Sequence, residues 1–323
     1  MQKIAAVSGA VLLAAFVVTS AHAQTYPVKT IRLVVPFPAG GSTDIIGRVV
    51  AEQLTAAFGQ QVIVDNRPGA NGVIGTELVA KALPDGYTLL MGGIGSLSIN
   101  PAIYSKIPYD PVRDFTAIIQ IAQVPNVLVV HPSLPVTTVK ELIALAKANP
   151  GKLSFSSSGS GSSDHMSGEL FKSMARVDLV HVPYKGGAPA ITDAIAGQVS
   201  MTFSNQPTAL PHVKTGKLRG IAVTSIKRSS AAPELPTIDE SGLQTFDVSS
   251  WVGVNAPANL PREIVNRINA EIVKGMSAPA GRERLNQLAF DPVLSTPDQY
   301  ASHIKSEVAK WAQVAKTAGA KLD

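Results

Sequence analysis

PFPAGGSTDIIG, residues 36–47, joins the apolar run IRLVV to a segment in which Ile46, Val50, Leu54 and Phe58 recur at i+4 spacing. That spacing lays one apolar stripe along a helix. Gly59 follows it at the position where helices turn left-handed and stop. The order is therefore strand (Thr30 to Phe37), glycine turn, helix. Two prolines and two glycines expose backbone at that turn, so it either redirects the chain or holds something.

The pattern repeats outward from there. QVIVDN and YTLLMGG read as strands, with the loop RPGANG and a helix over Gly75 to Ala82 between them. The run VPNVLVVHP then opens a second series. Helix Val139 to Ala148 precedes strand KLSFSSS, and the loop GSGSSD precedes a helix bearing Met166, Leu170 and Met174. VDLVHVPY, the turn KGG, helix Pro189 to Ala196, QVSMTFS and LRGIAVTS follow. A Pro/Ser-rich connection, Ser229 to Gly242, leads to the second long extended run, FDVSSWVGVNAP. Ile264, Ile268, Ile272 and Met276 mark one helix. Thr296-Pro297-Asp298-Gln299 is a capping box with proline at the first helical position. It starts a last helix with Tyr300, Ile304, Val308, Trp311 and Ala315 on one face. Alternating strands and helices predict a parallel sheet covered on both faces. A closing helix with no strand after it packs back on the first unit. The expected division is residues 24–123 with 248–323 in one domain and 124–247 in the other. The fold class is α/β, two domains joined by a two-strand hinge around a cleft.

The N-terminus, MQKIAAVSGAVLLAAFVVTSAHAQ, has a positive start at Lys3, a short apolar core and the small-x-small pattern Ala21-His22-Ala23. This reads as a secretory signal over residues 1–23, with cleavage expected after Ala23. The apolar core is too short for the ~20 residues a membrane span needs. The chain holds no cysteine, which excludes disulfides and thiol chemistry. Of its 28 Lys and Arg, Lys3 falls in the leader, leaving 27 against 23 acidic residues. The small excess is spread out, with no basic cluster interleaved with aromatics, which argues against nucleic acid.

Three glycine turns follow strands and open helices: PFPAGGSTD, SSGSGSSDH (residues 157–165) and YKGGAPA (residues 184–190). In a parallel α/β sheet such turns lie at the carboxyl edge, where ligands bind. The first amides of a helix have no intrahelical partner, and the helix dipole is positive there. Backbone N–H groups of Ala39, Gly40, Gly41, Ser42 and Thr43, and of Ser158, Gly159, Ser160, Gly161, Ser162 and Ser163, can thus converge on an anion. Asp44 and Asp164 hold parallel places and are expected to satisfy amides in the first turns of their own helices. Gly159 to Asp164 fails the dinucleotide fingerprint at its last position, and neither Gly-Lys pair has the Ser or Thr of a phosphate loop. Nucleotide cofactors are disfavoured. The histidines lack metal-ligand spacing, so no metal or other cofactor is expected. Ser162 or Ser163 with His165 is the one hydrolase arrangement available, and adjacent side chains diverge too much at a helix start to form it. No catalytic residue is assigned.

These segments carry a family resemblance. YPVKTIRLVVPFPAGGSTDIIGRVVAEQL, VDNRPGANGVIGTELVAKALPDGYTLLMG, YDPVRDFTAI, PNVLVVHPSLPVTTVKELIALAKANPGKLSFSSSGSGSSDH, VPYKGGAPAITDAIAGQV, GKLRGIAVTS and PTIDESG stand in order along the mature chain. Together they resemble the solute receptors of tripartite tricarboxylate transporters, the Bug family. The resemblance implies a two-lobed periplasmic binding protein (type II-like) that closes on a small organic acid, a mono- or dicarboxylate, and that is not an enzyme. It implies one carboxylate at Pro38 to Asp44 and a second-lobe contribution from Ser158 to His165. The rest of the cleft falls to Phe37, the GIGSLSIN segment with Ser96, Tyr184 and Asn205. Members often carry an aspartate near Asn205 that meets a ligand amine; the uncharged Asn205 implies a ligand without an ammonium group. The implied protein is a monomer whose partners are the transporter's membrane subunits or, in the alternative, a sensor kinase.

Overall fold

The computed structural model describes residues 26–318; the expected leader and its cleavage site lie outside them. Among the described residues no helix is long and apolar enough to cross a membrane.

Strands β1 (Ile31–Val35), β2 (Val62–Asn66) and β3 (Thr88–Gly93) run parallel, with β1 in the middle. Helix α1 (Ser42–Phe58) links β1 to β2, and α2 (Val73–Ala80) precedes β3. Gly59 ends α1 in the left-handed conformation the sequence required, at φ 66°. After β3 the chain forms a turn of π-helix, Gly95–Ile99, and the short α3 (Asn100–Ile103). Then comes β4 (Phe115–Val130), followed by α4 (Val139–Ala148), β5 (Ser154–Ser157), α5 (Ser163–Ala175), β6 (Val180–Pro183) and α6 (Gly187–Ile195). Strand β7 (Met201–Asn205), α7 (Gln206–Lys214) and β8 (Arg219–Val223) complete the outward path. The chain returns through β9 (Ser249–Pro257) to α8 (Arg262–Ser277), α9 (Pro279–Gln287), β10 (Asp291–Pro292) and α10 (Pro297–Ala318).

One sheet of order β2-β1-β3-β9-β4-β7-β5-β6 results, with β8 and β10 also paired to β4. The all-parallel expectation holds only at the two ends, β2-β1-β3 and β7-β5-β6. The middle is antiparallel: β9 with β3 and β4, and β4 with β7 and β8. The physical reason is connectivity. The chain crosses outward once along β4 and back once along β9, so the two strands must oppose each other. β4 pairs with β9 over Phe115–Pro125 and with β7 over Asn126–Val130. Two register shifts on the β9 side bend this long strand, as bulges do. The protein is thus a two-lobed α/β fold with β4 and β9 as the crossing strands.

Apolar clusters fill both sides. Ile46, Val50 and Leu54 of α1 pack with Ile268 and Ile272 of α8 in the first lobe, and Ile191, Leu210 and Val223 pack in the second. A third cluster spans the middle, from Ile94 and Leu97 through Phe155 and Phe203 to Trp251 and Tyr300. The capping box before α10 forms in both directions, Gln299 N–H to Thr296 Oγ1 at 3.3 Å and Thr296 N–H to Gln299 Oε1 at 2.9 Å. Tyr300, Ile304 and Trp311 then bury α10 against the central cluster. Glu307, on the same helix, accepts from the indole N–H of Trp251 at 3.2 Å and of Trp311 at 3.1 Å.

Candidate functional site

β1 delivers the chain to the first glycine turn. Gly40 takes the left-handed conformation (φ 85°), and Gly41 is the extended N-cap of α1 with no side-chain cap. The first helical hydrogen bond runs from Ile45 N–H to Gly41 C=O at 3.0 Å. The amides of Ser42, Thr43 and Asp44 precede it and stand at the positive end of α1.

Asp44 does not serve those amides, as the sequence led us to expect. Its carboxylate reaches backward: Gly40 N–H donates to it at 2.9 Å, Asn66 Nδ2 at 3.0 Å, and Arg48 through Nε and Nη2 at 3.0 Å each. Burial works to raise its pKa, but these donors outweigh it and hold the carboxyl below its usual range. The acid locks the turn and leaves the helix amides free.

The second turn repeats the device. Asp164 accepts from Ser158 N–H at 2.6 Å and from Ser158 Oγ at 2.8 Å, again reaching back. Full burial pushes its carboxyl above the usual range against the pull of the Ser162 and Ser158 hydroxyls and the Ser158 amide. Ser162 caps α5, accepting from His165 N–H at 3.3 Å while donating to Gly159 C=O at 2.6 Å. The α5 helical bonds begin with Met166 N–H to Ser162 C=O at 3.0 Å, so the Ser163 amide precedes them, while the Asp164 amide is engaged by its own carboxyl.

His165 faces away from both serines. Its Nδ1 accepts from Gly161 N–H at 3.0 Å, and its ring stacks on His181 at 4.1 Å. Burial, then Lys172 nearby, lowers its pKa to about 4. His181, lowered by burial and by His165, also sits at about 4. The hydrolase arrangement of Ser162 or Ser163 with His165 is therefore absent, because the imidazole is turned to the loop and the other ring.

The two turns meet at one cavity of about 60 Å³ between the lobes. Of the residues singled out from sequence, Phe37, Pro38, Gly41, Ser42, Thr43, Ser158, Ser162, Ser163, Asp164 and Asn205 line it. The others stand elsewhere. Ala39 and Gly40 lie exposed at the tip of the first turn. Gly159, Ser160 and Gly161 form the bend behind Ser162. Ser96 is buried with its hydroxyl on the Gly93 backbone. Tyr184 donates to Asp193 at 2.6 Å. The rest of the wall comes from Gly93 to Gly95 of the GIGSLSIN segment and Gly186 and Gly187 of the third glycine turn, both singled out from the sequence, and from residues that were not: Asn71 after β2, Ser204 and Thr208 around the β7 end, and Ser250 to Val252 of β9. Parallel strand ends supply most of it, and that position was the signal available. No Lys, Arg or His is among the lining residues.

The lobes touch across the cavity. Ser42 Oγ donates to Asn205 Oδ1 at 2.7 Å. Asn205 Nδ2 in turn faces Asn126 Oδ1 of β4 and, at 3.4 Å, Ser163 Oγ. A Cβ on Gly186 would sit 3.0 Å from the Pro38 ring, so the first and third turns are in contact. Ser250 and Trp251 line both this cavity and a wider groove of about 490 Å³, which is lined also by Lys227, Asp291, His303 and Lys310.

The sequence profile of the tripartite tricarboxylate transporter family receptor matches residues 46–320. The chain belongs to that family. Protein BugT of Bordetella pertussis (strain Tohama I) is 38% identical over 323 residues, covering 100% of this chain and 99% of that protein. Among solved structures, Rpa4515 of R. palustris with adipate is 41% identical with TM-score 0.89, covering 92% of this chain and 100% of that one. The periplasmic binding protein BugD is 35% identical with TM-score 0.87, over 92% and 99% of the two chains. MatC of Rhodopseudomonas palustris, with bound malate, is 30% identical with TM-score 0.84, over 90% and 99%. One of these relatives, BugD, is a periplasmic binding protein, and two others were solved with small carboxylates.

Proposed function

We propose that this receptor captures a small organic carboxylate between its lobes in the periplasm and hands it to the membrane subunits of a tripartite transporter. The carrying observation is the convergence of two helix N-termini, α1 and α5, on one cavity whose lining holds no cationic side chain. An anion there is read by backbone amides and hydroxyls, which replace its hydration. The adipate and malate of two relatives support that cargo.

Binding works by closure about β4 and β9, with the lobe boundaries at 123/124 and 247/248, next to where β4 exchanges β9 for β7. The Ser42–Asn205 bond fastens the closed form. Ligands without an ammonium group are favoured, since Asp164 is committed to Ser158 and Asn205 is neutral. The protein carries out no catalysis and acts as a monomer.

Native mass spectrometry of protein purified from its host identifies a co-purifying acid. Calorimetry against a panel of mono- and dicarboxylates then measures affinity. Tight binding of free amino acids, with no plain acid bound, would overturn this reading.

A further inference from the structure

Asn71 occupies the left-handed region, φ 49° and ψ 40°, in the turn between β2 and α2. Its amide orientation is fixed by its neighbour. Asn100 Nδ2 donates to the Asn71 backbone carbonyl at 2.9 Å, which turns Asn100 Oδ1 toward the Asn71 side chain. The Asn71 atom facing that oxygen at 2.8 Å must be a donor, hence Nδ2. The other terminal atom is therefore the carbonyl oxygen.

That oxygen, Asn71 Oδ1, is shielded from solvent and has no hydrogen-bond partner in the protein. It sits where glycines leave space: a Cβ on Gly159 would lie 3.8 Å from it and one on Gly95 3.9 Å. Asn71 and Gly95 both line the cavity between the lobes. A buried acceptor left without a donor is costly, so such groups in native proteins carry a partner.

We infer that Asn71 Oδ1 accepts a hydrogen bond from the bound solute, and that the solute class is a hydroxy acid. This rests on the carboxylate reading above and deepens it. A carboxylate oxygen cannot fill the position, because it is itself only an acceptor. An ammonium group would donate, but it would be desolvated beside a neutral amide, with Asp164 already engaged by Ser158. A neutral hydroxyl supplies the donor without that cost. Asn71 thus determines specificity on the ligand's chain, while the helix amides hold its carboxylate.

The test is calorimetry with matched acids: succinate against 2-hydroxysuccinate, glutarate against 2- and 3-hydroxyglutarate, and adipate against 3-hydroxyadipate. At least one hydroxylated acid is expected to bind roughly 5- to 100-fold more tightly than its plain partner. Asn71→Gly keeps the left-handed backbone and removes the acceptor. It should bring that pair close to parity while the plain acid still binds, which also reports that the variant is folded. Equal binding within every pair, or an advantage that survives in Asn71→Gly, overturns the inference while leaving the carboxylate reading intact. Binding of none of these acids sinks both.

Discussion

Ser42→Ala removes one hydroxyl, and its effect can be worked out from a single contact. Ser42 is buried, and its Oγ–H donates to Asn205 Oδ1 at 2.7 Å across the gap between the lobes. The change deletes a hydrogen bond of ~1 kcal/mol net and leaves the asparagine oxygen without its donor, for a total of roughly 1–2.5 kcal/mol. Alanine is well tolerated at the first position of a helix, so the fold of each lobe is unaffected. Under the proposed closure the bond exists only when the lobes meet, so the loss falls on the closed complex. The dissociation constant of the bound acid should rise roughly 5- to 70-fold, mainly through faster release. Stopped-flow and calorimetric titrations measure both quantities. A direct contact between Ser42 and ligand would also weaken binding, so the double-mutant cycle with Asn205→Ala is the decisive measurement. Coupling of ~0.5 kcal/mol or more is expected for groups that touch. Strict additivity of the two substitutions, or a release rate unchanged by either, would refute the latch.

Three further outcomes concern stability. Asp44 has a depressed pKa in the folded state, so its contribution is present above the ordinary carboxylate range and disappears as pH falls through the folded value. Urea melts taken from pH 6 downward should show a loss that Asp44→Ala has already suffered at neutral pH; identical acid profiles for the two proteins would count against it. His165 and His181 titrate near 4 when folded and near 6.5 when unfolded, so the unfolded chain binds more protons in that window. Stability should fall as pH drops from about 6.5 to 4 and level off below, with a shallower slope in His165→Gln; a flat profile in the native protein would contradict the buried neutral stack. Glu307→Leu orphans two buried indole N–H groups and should cost about 3 kcal/mol in denaturant unfolding, with Glu307→Gln recovering part of it. A midpoint unmoved by the leucine would show that water replaces the carboxylate.

The strand–turn–helix units were legible because two local signals agreed, apolar periodicity and glycine placed ahead of a small polar cap. α1 and α5 were found that way, and α10 by its periodicity with the Thr296–Gln299 capping box. The segments that escaped lack one of those signals. Gly95–Ile99 is buried on every side, so it shows no amphipathic stripe. α7 contains Pro207 and Pro211, which read as breakers. Pro207 lies in the first turn, where no amide is needed, and only Pro211 omits a helical bond. The antiparallel middle of the sheet could not be read from strand character alone, since direction depends on where the chain crosses. At the site, residues at both helix N-termini line one cavity. Tyr184 and His165 were drawn toward it by their chemistry, but their hydrogen bonds point elsewhere. Asn71 was hidden in RPGANG because its importance lies in an unmet acceptor, which only the Asn100 contact reveals.

Asp44 and Asp164 are acidic groups planted beside the proposed anion site, and a tally of charges would score both against binding. Their effect is on disorder. A glycine-rich loop left to itself samples many shapes, and a solute that had to select one would lose affinity to that selection. Here each carboxylate has already chosen the shape, by holding Gly40 in one turn and Ser158 in the other. The entropy of the glycines is surrendered when the chain folds, long before any solute arrives. What meets the ligand is a backbone with the rigidity of a side chain clamp and none of its bulk, so loosening either acid should appear as a more unfavourable entropy of binding with little change in enthalpy.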